Sequence, residues 1–309
     1  MGVIEVEGLR KDYRRSHGRV VSALAGLDLT VPAGGVFGFL GPNGSGKTTT
    51  IRCLLGLARP SAGSCSLLGA EVPGQLAGVI QRVGVLVETP GINPGLSGRK
   101  TLEVLASVAS VSPSRVGAVL GRVGLAERAG DAVRGYSLGM RQRLGIAVTL
   151  LKDPEVLVLD EPANGLDPAG IREVRDLVRS LGAEGRTVFL SSHLLGEVQQ
   201  VCDRVAIIAR GRTVVVGPVG EVLTAGRATA LLVRVSDTNA GLDALTSAGI
   251  TARPESEMIR VEIPPEGAEA VTRALVARGL YPTELRPDRA SLEDVFFALT
   301  EGQPTESDR

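Results

Sequence analysis

Residues 35–48, GVFGFLGPNGSGKT, constrain the fold of this chain more than any other stretch. Six apolar residues read as a buried strand, a glycine-rich loop follows, and TTTIRCLLGL continues as a helix. Residues 41–48 fit the spacing G-x-x-x-x-G-K-[ST], which between a strand and a helix forms a phosphate-binding loop. In the loop Gly41, Pro42, Asn43, Gly44, Ser45 and Gly46, which would bind the phosphates, the glycines let the backbone curl so that N–H groups point inward. Lys47 then reaches the β- and γ-phosphates, the Thr48 hydroxyl holds Mg2+, and Thr49 adjoins them. Lysine stands only at positions 11, 47, 100 and 152, the rest of the 34 basic residues being arginine. Lys47 therefore marks a need for a compact point charge rather than a planar fork.

Two further apolar runs, EVLVLD (155–160) and RTVFLSS (186–192), are separated by the helical GIREVRDLVRSLG. Buried strands alternating with helices predict a parallel α/β sheet. Ligands bind at the carboxyl edge of such a sheet, and Asp160 ends one strand there, suited to Mg2+. Glu161 follows, placed to accept a proton from attacking water. His193, one of only two histidines, ends the other strand and could hydrogen-bond a γ-phosphate. Tyr13 lies before the basic loop RRSHGR, where its ring could stack on adenine. His17, in that loop, receives no role.

Elsewhere, Val3 to Leu9 and Val20 to Leu29 read as short antiparallel strands. Residues 92–152 read as helical throughout, an insertion in the α/β core. RVAIIARGRTVVVG (204–217) reads as a hairpin turning at Arg210-Gly211. After about 220 the character changes to a small β-α-β-α-β unit, closed by the helix SLEDVFFALTEG with Ser291 at its N-cap. The expected domains are thus 1–220 and 221–309.

One stretch poses a question. YSLGMRQRLGIA (136–147) opens a helix on a small polar residue and a glycine, with Arg141 and Arg143 in its first turns. A helix start already attracts anions, and no acidic side chain within the stretch answers these charges.

Composition narrows the partners. Basic and acidic residues balance at 34 each, which advertises no general affinity for nucleic acid or anionic lipid. Cys53, Cys65 and Cys202 are an odd set without metal-ligand spacing, as in a reduced compartment. The N-terminus has charges where a signal peptide needs an apolar run. No stretch reaches the ~18 apolar residues of a membrane span, so any membrane role is expected to pass through a partner.

Together these motifs resemble the ATP-binding cassette (ABC) ATPases over about residues 1–220. Residues 41–48 resemble that family's phosphate loop, 156–161 its second nucleotide motif, NGLD (164–167) its D-loop, His193 its switch histidine and YSLGM its signature sequence. The resemblance implies an α/β P-loop cassette with an antiparallel β subdomain and a helical subdomain, followed by the small α+β domain. It implies Mg-dependent ATP hydrolysis by a head-to-tail homodimer, in which Ser137 and Gly139 serve the ATP of the other subunit and Asp167 of the D-loop is a further ATP-binding residue. The anion awaited by YSLGM would be that ATP. Glu88 stands where the family usually has a glutamine touching Mg2+ and water, and a carboxylate can still ligate Mg2+. Met140 replaces the usual glutamine after the signature glycine.

The form of the signature and the ending SLEDVFFALT are more like the ATPase subunits of bacitracin- and daunorubicin-resistance exporters. That branch implies a separate transmembrane permease subunit, a peripheral place at the cytoplasmic face of the membrane, and no nucleic-acid partner. The rival is a soluble cassette acting on nucleic acid or the ribosome. Against it, Thr48 and Ser137 are only 89 positions apart, which leaves no room for a long coiled coil, and there is one cassette, not two.

Overall fold

The computed structural model describes residues 2–14, 20–87, 91–225, 230–288, 292, 293, 295 and 296. The chain divides into two compact units, Met1–Val219 and Gly220–Arg309.

In the first unit, β1 (Ile4–Arg14) and β2 (Val20–Val31) pair antiparallel. At 11 and 12 residues they are long, not the short strands predicted from the sequence. The ladder slips between Val6 and Leu9 and again before Arg10, where Gly8 turns to φ 53°. Such bulges interrupt the apolar alternation, so one bent strand reads as short pieces. β3 (Gly35–Leu40) leads into α1 (Lys47–Leu54), as expected. β4 (Ala62–Leu67) and β5 (Ala70–Glu71) complete the first sheet in the order β2-β1-β4-β5. β4 was not predicted, because AGSCSL buries only Cys65 and Leu67 and lacks a β-branched run.

The second sheet contains β3 and, next in sequence, β6 (Val83–Leu86), too short to be legible as a strand. The helices α2 (Gly98–Val108), α3 (Ser114–Arg122) and α4 (Leu138–Leu150) follow, and a single bridge joins Ser97 to Ala132. Then come β7 (Val156–Asp160), α5 (Pro168–Ala183), β8 (Thr187–Ser192), α6 (Leu195–Val201), β9 (Arg204–Ala209) and β10 (Arg212–Pro218). The order is β10-β9-β3-β8-β7-β6, with β3, β6, β7, β8 and β9 parallel and β10 antiparallel on β9. The parallel sheet and the hairpin at Arg210-Gly211 are as the sequence predicts. Because β3, β7 and β8 run the same way, the phosphate loop, Glu161 and His193 all emerge at one edge.

One core fills the space between these sheets, with Ile51 and Leu54 of α1 buried in it beside Leu24, Leu27, Phe37 and Phe39. Phe189 is fully buried there, its ring centroid 5.2 Å from Phe39 and 6.1 Å from Phe37. Phe189→Ala leaves a cavity in this rigid centre and is expected to cost about 3–5 kcal/mol. A urea titration showing less than ~1 kcal/mol would mean that the three rings are not the centre of the core.

The second unit contains α7 (Val219–Ala225) for all but its first residue, then β11 (Ala230–Arg234), α8 (Thr238–Ser247), β12 (Ala252–Glu255), β13 (Met258–Val261), α9 (Ala268–Val276) and β14 (Glu284–Asp288). Its sheet is antiparallel throughout, in the order β12-β13-β11-β14. The β-α-β-α-β reading is therefore corrected to β-α-β-β-α-β, the split βαβ arrangement. The extra strand is β12, whose ARPE is mostly exposed and carries no apolar signal. Leu231, Val233, Leu245, Ile259, Val271 and Leu275 form its core. Ser291 lies outside the described residues.

All three cysteines are free and buried. Burial, with Cys53 nearby, pushes the Cys65 thiol up to about 11, so it stays protonated and unreactive near neutrality.

Candidate active site

The loop between β3 and α1 is shaped by two glycines, Gly41 and Gly46, that leave no room for a side chain. Gly46 has φ 110°, and a Cβ there would lie 2.6 Å from Leu24 Cδ2 and 2.8 Å from the Ala23 carbonyl oxygen. A Cβ on Gly41 would lie 2.5 Å from the Ile208 carbonyl oxygen. Lys47 opens α1 and is only 6% exposed. Its Nζ donates to the carbonyl oxygens of Gly41 at 2.7 Å and Pro42 at 3.3 Å, and pairs with Glu161 Oε1 at 3.2 Å.

Glu161 extends the contact chain. Its Oε2 lies 2.7 Å from His193 Nδ1; an ionised carboxylate only accepts, so Nδ1 carries the hydrogen in this pairing. The Glu161 backbone sits at φ 50°, a left-handed conformation unusual for a residue with a long side chain. That turn carries the chain off the end of β7, beside β8 and the phosphate loop. Lys47, Glu161 and His193 thus form one continuous set.

These three share an open groove of about 1200 Å³ with Tyr13, Asn43, Gly44, Gly46, Thr48 and Thr49. Nine residues singled out in the sequence thus line one groove. Gly41, Pro42 and Ser45 belong to the loop beneath, and Gly41 and Pro42 hold the lysine. Sequence reasoning missed Val21, Ser22 and Ala23 of β2 and Asn164, which line the same groove. The strand signal of β2 said nothing of which face meets the loop. Asn164 sits in NGLD, and its N–H donates to the Glu161 carbonyl oxygen at 3.1 Å.

Asp160 lies deeper, 6% exposed, and accepts a hydrogen bond from the Ser191 hydroxyl. Among the described residues no cation pairs with it. A buried carboxylate without a counter-charge is costly, and a divalent cation would offset that cost. The described residues hold no group of three or more His, Cys, Asp or Glu that could enclose a metal. One carboxylate, the Thr48 hydroxyl and ligand phosphates make the donor set that suits Mg2+. Glu88 lies outside the described residues.

Ser137, Gly139 and Asp167 are not among the residues lining this groove. Ser137 caps α4, accepting from the Met140 N–H at 3.2 Å, and Asp167 caps α5, accepting from the Gly170 N–H at 2.8 Å. The two helix starts adjoin, since a Cβ on Gly139 would lie 3.8 Å from Gly170 Cα. The arginines prove not to be unanswered. Arg141 donates to the Tyr136 carbonyl oxygen at 2.9 Å. Arg143 donates to those of Val123 at 2.9 Å and Gly124 at 3.2 Å, and pairs with Glu173 of α5 at 3.3 Å. The attraction for an anion at this helix start therefore comes from its backbone N–H groups and from Arg141, whose charge meets a backbone carbonyl and no acidic side chain among the described residues.

Comparison with known proteins places this geometry. Residues 24–164 match the ABC transporter family. The chain is similar to the uncharacterized ABC transporter ATP-binding protein YhcH of Bacillus subtilis, at 39% identity over 96% of each chain. It is also similar to the daunorubicin/doxorubicin resistance ATP-binding protein DrrA of Streptomyces peucetius, at 35% identity over 98% of this chain and 93% of that one. The bacitracin transport ATP-binding protein BcrA of Enterococcus faecalis is 35% identical over 97% of each chain. Among solved structures, cbiO1 of Clostridium perfringens, part of the ABC transporter complex cbiONQ, has a TM-score of 0.64 at 27% identity, covering 72% of this chain and 91% of that one.

Proposed function

The chain belongs to the ABC transporter ATP-binding proteins, and from that premise we propose that it binds ATP in the groove over Lys47 and hydrolyses it to drive a separate membrane subunit. The observation that carries this reading is the unbroken contact of Lys47, Glu161 and His193 at the phosphate loop. Lys47 neutralises charge on the β- and γ-phosphates, the backbone N–H groups of Gly41 and of residues 43–49 donate to them, and Tyr13 lies in the same groove to stack on the adenine ring. Glu161 takes the proton from the attacking water, and His193 holds Glu161 and the γ-phosphate in line. Thr48 and Asp160 would hold Mg2+, and Glu88 is proposed to reach it as well. When bound, Mg2+ neutralises charge that develops on the phosphate oxygens. Ser137, Gly139 and Asp167, outside this groove, are proposed to face the nucleotide of a second copy in a homodimer.

No described helix is long and apolar enough to cross a membrane. A permease subunit would supply the membrane path, with this chain peripheral at the cytoplasmic face. The relatives DrrA and BcrA, named for daunorubicin/doxorubicin resistance and bacitracin transport, support an exporter of the antibiotic-resistance type. They do not favour a soluble ATPase acting on nucleic acid or the ribosome.

The direct test is phosphate release from ATP by the purified chain, with and without excess EDTA. Release that persists in EDTA at near the full rate would contradict the roles given to Thr48 and Asp160. Deleting residues from 222 onward should leave nucleotide affinity within about threefold, a shift below ~0.7 kcal/mol, because no groove residue lies there. A folded truncation that binds no nucleotide would contradict the proposed independence of the cassette.

A further inference from the structure

Resting on the roles proposed for Asp160 and Glu161, we infer that Ser191 is a positioning residue whose buried hydroxyl sets the metal-side acid and the base together. Ser191 ends the apolar part of β8 in register with Asp160 of β7 and is fully buried. Two residues earlier on the same face, Phe189 stands in register with Val158, both fully buried. A hydroxyl is a poor filler beside such residues, because it costs free energy unless it is hydrogen-bonded.

Here the hydroxyl is engaged on both sides. Its Oγ donates to Asp160 Oδ1 and accepts from the Glu161 N–H at 3.0 Å. The Ser191 carbonyl oxygen accepts from the same N–H at 3.2 Å. A left-handed residue such as Glu161 persists only where its surroundings over-determine it. The shared bond from its N–H into Ser191 is such a determinant, at the point where the chain turns from Asp160 toward Lys47 and His193. The same Oγ fixes one oxygen of Asp160, and no protein group among the described residues holds the other. One atom thus couples the orientation of two consecutive acids with different tasks.

The test compares Ser191→Ala, which removes only the hydroxyl, with Ser191→Thr, which restores it on a β-branched side chain suited to a strand. Ser191→Ala should lower kcat at least about tenfold, the loss of one hydrogen bond to a charged group. It should also raise the Mg2+ concentration needed for half-maximal rate. Binding of a fluorescent ATP analogue in EDTA should stay within about twofold, and Ser191→Thr should recover most of the rate. The inference is overturned if Ser191→Ala keeps kcat within about twofold of the parent. An unfolded Ser191→Ala, or an equal loss of metal-free binding, overturns it too, because either marks a role in the fold alone. A folded Ser191→Thr as slow as Ser191→Ala does the same. Glu161→Gln serves as the reference: if that variant turns over normally, the fault lies with the base assignment, whatever Ser191 does.

Discussion

Glu161→Gln is expected to reduce ATP turnover by about 10²-fold or more, the range for loss of a general base, while ATP binding persists. The amide keeps the shape of the side chain and an oxygen able to face Lys47, but it cannot take a proton from water. Lys47, the loop N–H groups and Asp160 are untouched, so the nucleotide is still held. Gel filtration with ATP should show a dimer that does not decay as it does for the parent chain. Equilibrium binding and single-turnover hydrolysis separate the two effects. Hydrolysis near the parent rate would remove Glu161 as the base and leave His193 as the candidate to examine next.

Mixing two dead variants should restore function. Lys47→Ala loses its hold on the triphosphate, and Gly139→Asp sets a carboxylate where the γ-phosphate of a second copy would lie. Two negative charges at ~4 Å repel by roughly 1–4 kcal/mol outside the dry interior. The structure separates that repulsion from misfolding. The nearest atom to a Cβ at position 139 is 3.8 Å away, and an acidic residue in the first turn of α4 suits the helix dipole. Each homodimer has a defect in both sites. A heterodimer has one doubly damaged site and one intact site, made of Lys47 from the Gly139→Asp chain and Gly139 from the Lys47→Ala chain. ATP-dependent association should therefore reappear on mixing, with partial hydrolysis. Tagged heterodimers that neither close on ATP nor hydrolyse it would place the signature in the service of its own subunit.

The sequence and the structure agree best where chemistry and geometry impose the same residues. Gly46 is legible because nothing larger fits against Leu24 and Ala23, and Lys47 because a single small cation is needed in a chain that otherwise uses arginine. The parallel sheet is legible because β3, β7 and β8 are buried on both faces and read as unbroken apolar runs. β4 and β12 are not, since one is built of small residues and the other is mostly exposed. Arg143 misled because its partner Glu173 stands thirty positions away on α5, a pairing no local window contains. Ser191 was passed over for the same reason. Its meaning lies in the strand beside it, while in the sequence it is only the first of two serines before a histidine.

The Lys47 ammonium already meets three protein oxygens: it donates to the carbonyls of Gly41 and Pro42 and pairs with the Glu161 carboxylate. If Lys47 holds the phosphates as proposed, a nucleotide is expected to bind by ligand exchange, its phosphate oxygens taking over from oxygens already in place. The displaced group that carries charge, the Glu161 carboxylate, is tethered within reach and competes at an effective concentration that a dissolved anion does not match. Such an internal competitor weakens the grip on any nucleotide that must displace it. Exchanging the carboxylate for an amide removes the charge of that competitor along with the base, so the variant that stops turnover is also the one expected to release its nucleotide most slowly.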